Sequence, residues 1–147
     1  MRMPWHEASL REVVGTQYFA VLTTLGQGLP HSNLVSFAAT DDLKSLVFVT
    51  GRNTRKYRNI QDNHNISLLI DNRTNKPSDT SQAIAITVVG TAREEIDNKS
   101  LFQAILLARH PQLRHFVEAP GNAIMLVTIR EYIVAAFDKT QRVPISQ

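Results

Sequence analysis

Short segments rich in aromatic and β-branched residues follow one another in runs along this sequence, and this pattern restricts the fold more than any other feature. Such segments predict strands. The predicted strands cover residues 18–25, 31–39, 45–50, 66–71, 83–93, 123–129 and 132–138. A glycine-containing turn at 26–28 joins the first two, and the Asp-Asp pair at 41–42 joins the second to the third. Because the strands come in runs, they predict an antiparallel barrel or sandwich and not an alternating parallel sheet.

Helical segments interrupt the strands at a few points, so we expect a mainly β fold with short helices. The predicted helices cover residues 6–14, 54–63, 97–109 and, after a His-Pro pair, 112–117. Thr54 is placed to cap the second of them. Residues 72–81 form the longest predicted loop, and Gly90 predicts a bend or bulge within its strand.

Size and composition narrow the class of protein. The chain has 147 residues, 43% of them hydrophobic, so we expect a single domain over residues 1–147 with one packed core. It has no cysteine, which excludes a disulfide scaffold, a thiolate nucleophile and cysteine-ligated zinc or iron–sulfur sites. The net charge of +3 is smaller than the basic surplus of a typical nucleic-acid binder, so we expect no nucleic-acid partner.

The apolar stretches give an expectation about location. The first residues, Met-Arg-Met-Pro-Trp-His-Glu, lack the apolar run of a signal peptide. The longest apolar stretches, such as residues 123–129, are too short to cross a bilayer. We therefore expect a cytoplasmic protein without a membrane partner.

The strongest chemical signal is a cluster of cations at a predicted strand-to-helix junction. Four cations lie within seven residues there: Arg52, Arg55, Lys56 and Arg58. A helix start carries free N–H groups and a partial positive charge, so cations in its first turn oppose the helix dipole. A bound phosphate would reverse that sign, because the N–H groups, the Thr54 hydroxyl and the cations would converge on it. The alternative is a solvated basic surface whose cations point apart.

Other chemical motifs are missing from the sequence. It contains no Walker loop, and Gly26 and Gly28 lie in a predicted hairpin and begin no helix, so a cofactor with one terminal phosphate fits better than a nucleoside triphosphate. There is no Gly-x-Ser-x-Gly elbow and no convincing acid–base pair, so no catalytic residue is predicted. The spacing of His110 and His115 matches no common zinc pattern, and we predict no metal site.

Five segments, taken in order, resemble the pyridoxamine 5′-phosphate oxidase-like, FMN-binding split-barrel proteins. They are Phe19-Ala-Val-Leu-Thr-Thr, Gly28-Leu-Pro-His-Ser, Leu46-Val-Phe-Val-Thr-Gly, Thr54-Arg-Lys-Tyr-Arg-Asn-Ile and Asn65-Ile-Ser-Leu-Leu-Ile-Asp. The later Val88-Val-Gly-Thr-Ala segment and the break at His110-Pro111 are similar to small members of the same group. The resemblance extends over residues 6–138 and is most specific at Thr54-Arg-Lys.

This resemblance implies an antiparallel split β-barrel of about six or seven strands, which forms a homodimer with FMN at the interface. Carried over by position, Thr54, Arg55 and Lys56 would hold the FMN phosphate, and Thr50 would line the same pocket. The further candidates are Arg52 beside the motif, Asn33, Val35 and Ser36 beside the isoalloxazine ring, and Gln82 from the partner chain.

The sequence differs in two places from the larger oxidases of the family that it resembles. Those enzymes carry a lysine late in the second strand, where this chain has Phe37, Ala38 and Ala39. They also end in a basic, histidine-bearing motif that binds pyridoxal phosphate, and residues 141–147 lack it. The resemblance therefore supports the flavin site but not pyridoxamine phosphate oxidase activity itself.

The sequence thus predicts an FMN-binding oxidoreductase that transfers electrons between a nicotinamide donor and an unknown small substrate. The alternative keeps the fold and predicts a protein that carries FMN, heme or a deazaflavin without turnover. Heme would need an axial residue such as His110. A third possibility is a dimeric interaction module without a cofactor.

Overall fold

The computed structural model describes residues 2–147, and strands make up most of its regular structure. The strands are β1 (Phe19–Gly26), β2 (Leu29–Ala39), β3 (Ser45–Gly51), β4 (Asn65–Asp71), β5 (Ala85–Glu94), β6 (Asn122–Ala135) and β7 (Thr140–Pro144). The helices are α1 (Trp5–Thr16), α2 (Arg55–Asp62), α3 (Asp79–Gln82), α4 (Lys99–Arg109) and α5 (Arg114–Glu118), with a 3₁₀ turn at Pro111–Leu113. None of the helices in this part of the chain is long and apolar enough to span a membrane.

The sheet closes on itself into a barrel. Its strands run in the order β3-β2-β1-β4-β5-β6-β7, and β3 also pairs with β6, from Ser45 opposite Thr128 to Gly51 opposite Asn122. Six strands therefore form a closed antiparallel barrel, and β7 pairs with the second half of β6 as an extra strand. This arrangement confirms the predicted mainly β class, the barrel and the number of strands.

Two layers of apolar side chains hold the fold together. Inside the barrel, alternate strand residues such as Leu22, Phe37 and Phe48 are fully buried. Outside it, α4 and α5 cover β3 and β6 with a second cluster that includes Leu106 and Val117. Because both faces of β3 and β6 are covered, these strands have continuous apolar runs and not an alternating pattern.

The β1–β2 hairpin helps to position α2. Its two-residue turn, Gln27 and Gly28, has positive φ angles of 53° and 79°, as a type I′ turn requires. At the preceding Gly26, a Cβ atom would lie 2.2 Å from the side-chain oxygen of Asn59. The glycine therefore lets Asn59 approach β1, where its Nδ2 donates to the Thr24 hydroxyl at 3.0 Å.

The predicted irregularity at Gly90 is confirmed, and the same feature corrects a second prediction. Val89 lies opposite Glu131 and Gly90 opposite Ile129, so Arg130 is the extra residue of a β-bulge. The sequence predicts separate strands at 123–129 and 132–138, and this is wrong. The bulge absorbs Arg130 and the strand continues as β6.

Other differences concern polar segments. β7 is not predicted, because the Thr140–Pro144 strand is mostly polar and exposed and pairs on one side only. The predicted loop at 72–81 is shorter than expected, since α3 begins at Asp79, whose carboxylate accepts N–H groups from Thr74, Asn75 and Lys76. The other predicted elements end within two residues of the observed ones.

Candidate functional site

An open groove of about 370 Å³ lies where β3 meets α2. Its lining residues belong to β2, the end of β3 and the start of α2, and to the 3₁₀ turn, α5 and the start of β6. Its polar lining consists of Ser36, Thr50, Asn53, Thr54, Lys56 and Asn122. Its apolar lining consists of Leu34, Val35, Val49, Leu113 and Phe116, with Gly51 between the two parts.

Two threonine hydroxyls meet at the polar end of the groove. Thr54 is the N-cap of α2, as predicted, and its Oγ1 accepts the Tyr57 N–H at 3.3 Å. The same hydroxyl donates to the Gly51 carbonyl at 2.8 Å and lies 2.9 Å from Oγ1 of the buried Thr50. The cap and the end of β3 therefore form one polar surface.

The first turn of α2 offers further donors to this surface. The N–H groups of Arg55 and Lys56 precede the first intrahelical hydrogen bond, so they have no acceptor within the helix. The first turn contains no acidic residue that would balance the positive end of the helix dipole. An anion bound here would meet free N–H groups and a favourable dipole.

The four cations of this segment are placed differently from one another. Lys56 is half-buried and lines the groove. Arg55 is exposed, does not line the groove and makes no ion pair within residues 2–147. Arg58 donates to the Asn53 carbonyl at 3.0 Å. Arg52 is bound to Glu94, so the cations do not converge on one point in the present arrangement of side chains.

Arg52, Tyr57 and Glu94 form a connected cluster beside the groove. The Glu94 carboxylate accepts Nη2 of Arg52 at 2.7 Å through one oxygen and the Tyr57 hydroxyl at 2.7 Å through the other. Nη1 of Arg52 donates to the Pro120 carbonyl, also at 2.7 Å. The hydrogen bond from Arg52 lowers the pKa of Glu94, and the hydrogen bond to Glu94 raises the pKa values of Arg52 and Tyr57. Glu94 is therefore held as an anion and Tyr57 as a neutral hydroxyl.

Of the three predicted residues of β2, two line the groove and one does not. Ser36 and Val35 line the groove. Asn33 does not, and it shares the inward face with Val35 and Phe37, which belong to the barrel core. Its Oδ1 is buried without a hydrogen-bond partner in the described residues. The groove thus brings together Val35, Ser36, Thr50, Thr54 and Lys56, whereas Asn33, Arg52 and Arg55 lie outside its lining.

Seven lining residues are not among the predicted ones. Four of them adjoin predicted residues in the sequence, namely Leu34, Val49, Gly51 and Asn53, and three come from a distant segment, namely Leu113, Phe116 and Asn122. Leu113 and Phe116 have helical i, i+3 spacing after the His-Pro break, which was the available signal. Asn122 holds this wall in place, because its Nδ2 donates to the Phe116 carbonyl at 2.8 Å. The wall is also tied to β2, because Nε2 of the fully buried His110 bonds the Phe37 carbonyl at 2.8 Å.

A second cavity, of about 340 Å³, lies between α1, β2 and α4. Its walls are mainly small apolar residues, and its arginine, Arg109, lies over the Tyr18 ring at 4.3 Å and donates to the Gln17 carbonyl. We regard the groove as the candidate site because it combines hydroxyl, ammonium and free N–H donors. Among residues 2–147, no three side chains of the metal-binding types cluster closely enough to hold a metal ion.

A comparison with known protein families shows to which family this chain belongs. The sequence matches the family described as "Pyridoxamine 5'-phosphate oxidase" over residues 7–133. The chain belongs to this family. The match includes all the residues of the groove and confirms the resemblance inferred from the sequence.

Solved structures share the fold of this family member at low sequence identity. The heme binding protein from Mycobacterium smegmatis has a TM-score of 0.86 and 14% identity over 98% of this chain, which spans 60% of that protein. General Stress Protein 26 from Bacillus anthracis has a TM-score of 0.70 and 21% identity, with 93% of this chain and 98% of that chain covered. A putative pyridoxamine 5'-phosphate oxidase from Listeria innocua has a TM-score of 0.68 and 17% identity, with coverage of 87% and 96%. A search of curated proteins finds no match.

Proposed function

We propose that this member of the pyridoxamine 5′-phosphate oxidase family binds FMN in the groove and acts as an FMN-dependent oxidoreductase. The observation that carries the proposal is the division of the groove into a polar end at the start of α2 and an apolar end between β2 and α5. FMN has the same division, with a phosphate at one end and a largely apolar ring system at the other.

The polar end suits a phosphate monoester. The Thr50 and Thr54 hydroxyls, the Lys56 ammonium and the first N–H groups of α2 are the donors that helix-start phosphate sites use. Arg55 makes no competing ion pair within the described chain, so its flexible side chain is free to turn toward a dianion. We keep it as a candidate phosphate residue on that ground.

The apolar end suits a flat ring system. Leu34, Val35, Leu113 and Phe116 supply apolar surface, and the groove volume of about 370 Å³ lies within the usual range for cofactor sites. Ser36 adds a hydroxyl and neighbouring strand backbone beside this surface. The residues present therefore fit FMN.

In the proposed mechanism the cofactor carries out the redox chemistry, and the protein binds and orients the cofactor. When bound, FMN supplies electron transfer between a nicotinamide donor and an unidentified small substrate. The chain binds the phosphate through Thr50, Thr54 and Lys56 and orients the ring against Leu34 and Phe116. Lys56 is the one titratable side chain in the described lining, so we assign no acid–base residue.

We also propose that the protein is a homodimer with FMN at the interface. Phe19, Leu34 and Leu69 are 55%, 69% and 36% exposed and lie on the outer face of neighbouring strands. Val21 pairs with both Leu34 and Leu69, so these side chains form one apolar patch. Leu34 also lines the groove, so a partner that covers the patch would close the groove. Gln82 is exposed at the end of α3, where it is available to a partner chain.

The runner-up is a carrier of FMN, heme or a deazaflavin without turnover. It is favoured by the M. smegmatis neighbour, which is a heme binding protein with the same fold. His110, the axial ligand that the sequence suggested, is 1% exposed and bonds the Phe37 carbonyl through Nε2. No histidine lines the described groove, so its residues fit heme less well than FMN. We further propose a cytoplasmic location and one FMN-binding domain over residues 1–147.

An NADH or NADPH oxidation assay with added FMN separates the enzyme from the carrier. The FMN-loaded protein is expected to accelerate oxidation beyond the rate of free FMN under aerobic conditions. Thr54→Val, which removes a hydroxyl from the phosphate end while preserving side-chain shape, is expected to lower that rate at limiting FMN. An FMN complex without turnover would establish the carrier instead.

A further inference from the structure

Glu94 binds Arg52 and Tyr57, which flank the helix cap Thr54 in the sequence. Through one carboxylate oxygen it accepts Nη2 of Arg52, and through the other the Tyr57 hydroxyl, both at 2.7 Å. Arg52 directly follows β3, Tyr57 lies in the first turn of α2, and Glu94 is the last residue of β5. One carboxylate therefore connects three elements of the fold at this point.

Hydrogen bonds to Glu94 and Pro120 hold the Arg52 guanidinium in this cluster. Its Nε and Nη2 are both directed at Glu94, and its Nη1 donates to the Pro120 carbonyl at 2.7 Å. The Glu94 side chain is only 14% exposed, so losing its cation would leave a poorly solvated carboxylate. Arg52 is thus held away from the groove, whose lining it does not join.

Tyr57 connects this cluster to the phosphate end of the groove. Its side-chain hydroxyl donates to Glu94, and its backbone N–H donates to Oγ1 of Thr54 at 3.3 Å. That oxygen lies 2.9 Å from Oγ1 of Thr50. Glu94 therefore acts on the donor surface through a single intervening residue, without lining the groove itself.

We propose that Glu94 and Tyr57 are positioning residues, which orient the first turn of α2 so that its donors meet the cofactor phosphate. This inference rests on the proposed FMN site and deepens it. We call Glu94, Tyr57 and Arg52 together the clamp. Arg52 neutralises Glu94 within it and is not a phosphate ligand. The clamp explains why an anionic residue lies beside a site for an anion, since its charge is balanced by Arg52.

If Glu94 is a positioning residue, neutralising it should change phosphate affinity in the direction opposite to the one that charge alone would give. Removing a negative charge near a bound phosphate, and releasing Arg52, would strengthen phosphate binding if only charge mattered. If Glu94 positions the first turn, Glu94→Gln weakens binding instead. Tyr57→Phe, which removes one hydroxyl and no charge, weakens it in the same direction.

The test compares the affinities of FMN and riboflavin, which differ by the phosphate. Glu94→Gln and Tyr57→Phe are each expected to weaken FMN binding about tenfold, the equivalent of one hydrogen bond's net free energy, and riboflavin binding less than about twofold. Glu131→Gln is the matched control, because Glu131 is also paired with an arginine, Arg142 at 3.0 Å, but lies nine residues along β6 from the groove residue Asn122. An equal loss for both flavins, unchanged FMN binding, or tighter FMN binding in Glu94→Gln would overturn the inference.

A second measurement tests the positioning role of Glu94 and Tyr57 without depending on FMN binding. Inorganic phosphate is titrated into the ¹⁵N-labelled protein, and the amide shifts of Arg55 and Lys56 are followed in the wild type, Tyr57→Phe and Glu94→Gln. A wild-type response that both variants lose supports the clamp even if FMN itself does not bind. A response that both variants keep contradicts the clamp, and a wild type that responds neither to phosphate nor to FMN overturns both proposals.

Discussion

Lys56 and Arg55 are neighbours in the sequence but have different surroundings in the folded chain. Lys56 is half-buried in the groove, whereas Arg55 is exposed outside its lining. An interaction between a fixed cation and a phosphate contributes more than one that must first order a mobile side chain. The two residues should therefore contribute unequally to cofactor binding.

The first prediction compares these two cations. Lys56→Ala is expected to weaken FMN binding about tenfold or more, the range for loss of one charge-assisted hydrogen bond, and Arg55→Ala is expected to weaken it less. Flavin fluorescence titration measures both dissociation constants, and riboflavin is the control because it lacks the phosphate. An Arg55→Ala effect equal to or larger than that of Lys56→Ala would contradict the placement of Lys56.

Tyr132 gives a second prediction at the residue scale. It is fully buried in the barrel core, and its hydroxyl donates to the Leu43 carbonyl at 2.8 Å. Tyr132→Phe is expected to lower the free energy of unfolding by about 1–2 kcal/mol, because the carbonyl loses its donor. Chemical denaturation at pH 7 measures the change. An unchanged midpoint would show that this hydrogen bond adds nothing to stability.

The same residue should make stability depend on alkaline pH. Burial raises the pKa of Tyr132 well above its ordinary value, so the folded protein keeps the proton when the unfolded chain loses it near pH 10. The stabilisation is fully present below that pH and is lost as the pH rises, by about 1.4 kcal/mol per unit. The difference in unfolding free energy between wild type and Tyr132→Phe should therefore shrink above pH 10. A constant difference up to pH 11 would contradict the assignment.

At the scale of elements, the bulge between β5 and β6 depends on a glycine. A Cβ at Gly90 would lie 2.3 Å from the Thr128 carbonyl oxygen, which is backbone and cannot rotate away. Gly90→Ala is expected to destabilise the fold by about 2–4 kcal/mol, since the strand must shift to relieve the contact. The control is Gly15→Ala in α1, where a Cβ meets nothing within 4 Å and alanine favours the helix. Thermal unfolding compares them, and equal melting temperatures would contradict the close contact.

Elements with strong local signals could be predicted from the sequence. The Thr54 cap, the glycine turn of the β1–β2 hairpin and the irregularity at Gly90 all follow from local chemistry, and each is observed. β7 could not be predicted, because its polar residues pair only at the edge of the sheet. Local pattern and observed structure agree where the element's own residues determine the conformation.

The candidate site was less accessible to sequence reasoning, because long-range contacts decide which side chains face the groove. Arg52 looks like a phosphate residue by its position, yet its partner Glu94 lies 42 residues further along the chain. The wall formed by Leu113 and Phe116 reaches the groove only through the packing of α4 and α5 on the barrel. The basic motif therefore identified Thr50, Thr54 and Lys56 as lining residues but not the wall formed by Leu113 and Phe116.

At the scale of the whole molecule, local patterns left a barrel and a sandwich as alternatives. The pairing of β3 with β6 closes the barrel, and it joins strands separated by about 70 residues of chain, beyond the range of periodicity arguments. The family resemblance pointed to the barrel, and the family match agrees with it. The proposed homodimer rests on the exposed apolar patch around Leu34.

A fifth prediction tests that assembly. Phe19→Glu places a charge in the patch but outside the groove lining, so it is expected to produce a monomer and to weaken FMN binding through loss of the partner. Leu101→Glu on α4 is the matched control, because Leu101 is similarly exposed, at 58%, and lies away from the patch. Analytical ultracentrifugation measures the mass. A Phe19→Glu dimer with normal FMN affinity would show that this face is not the interface.

The most direct test of the FMN site is an absorbance spectrum of the protein after incubation with FMN and gel filtration. We expect the flavin bands to remain with the protein in the dimer fraction and Lys56→Ala to retain less flavin. A protein that elutes without flavin after incubation with excess FMN would contradict the FMN site. A Soret band in the purified protein would instead favour the hypothesis of a carrier that binds heme.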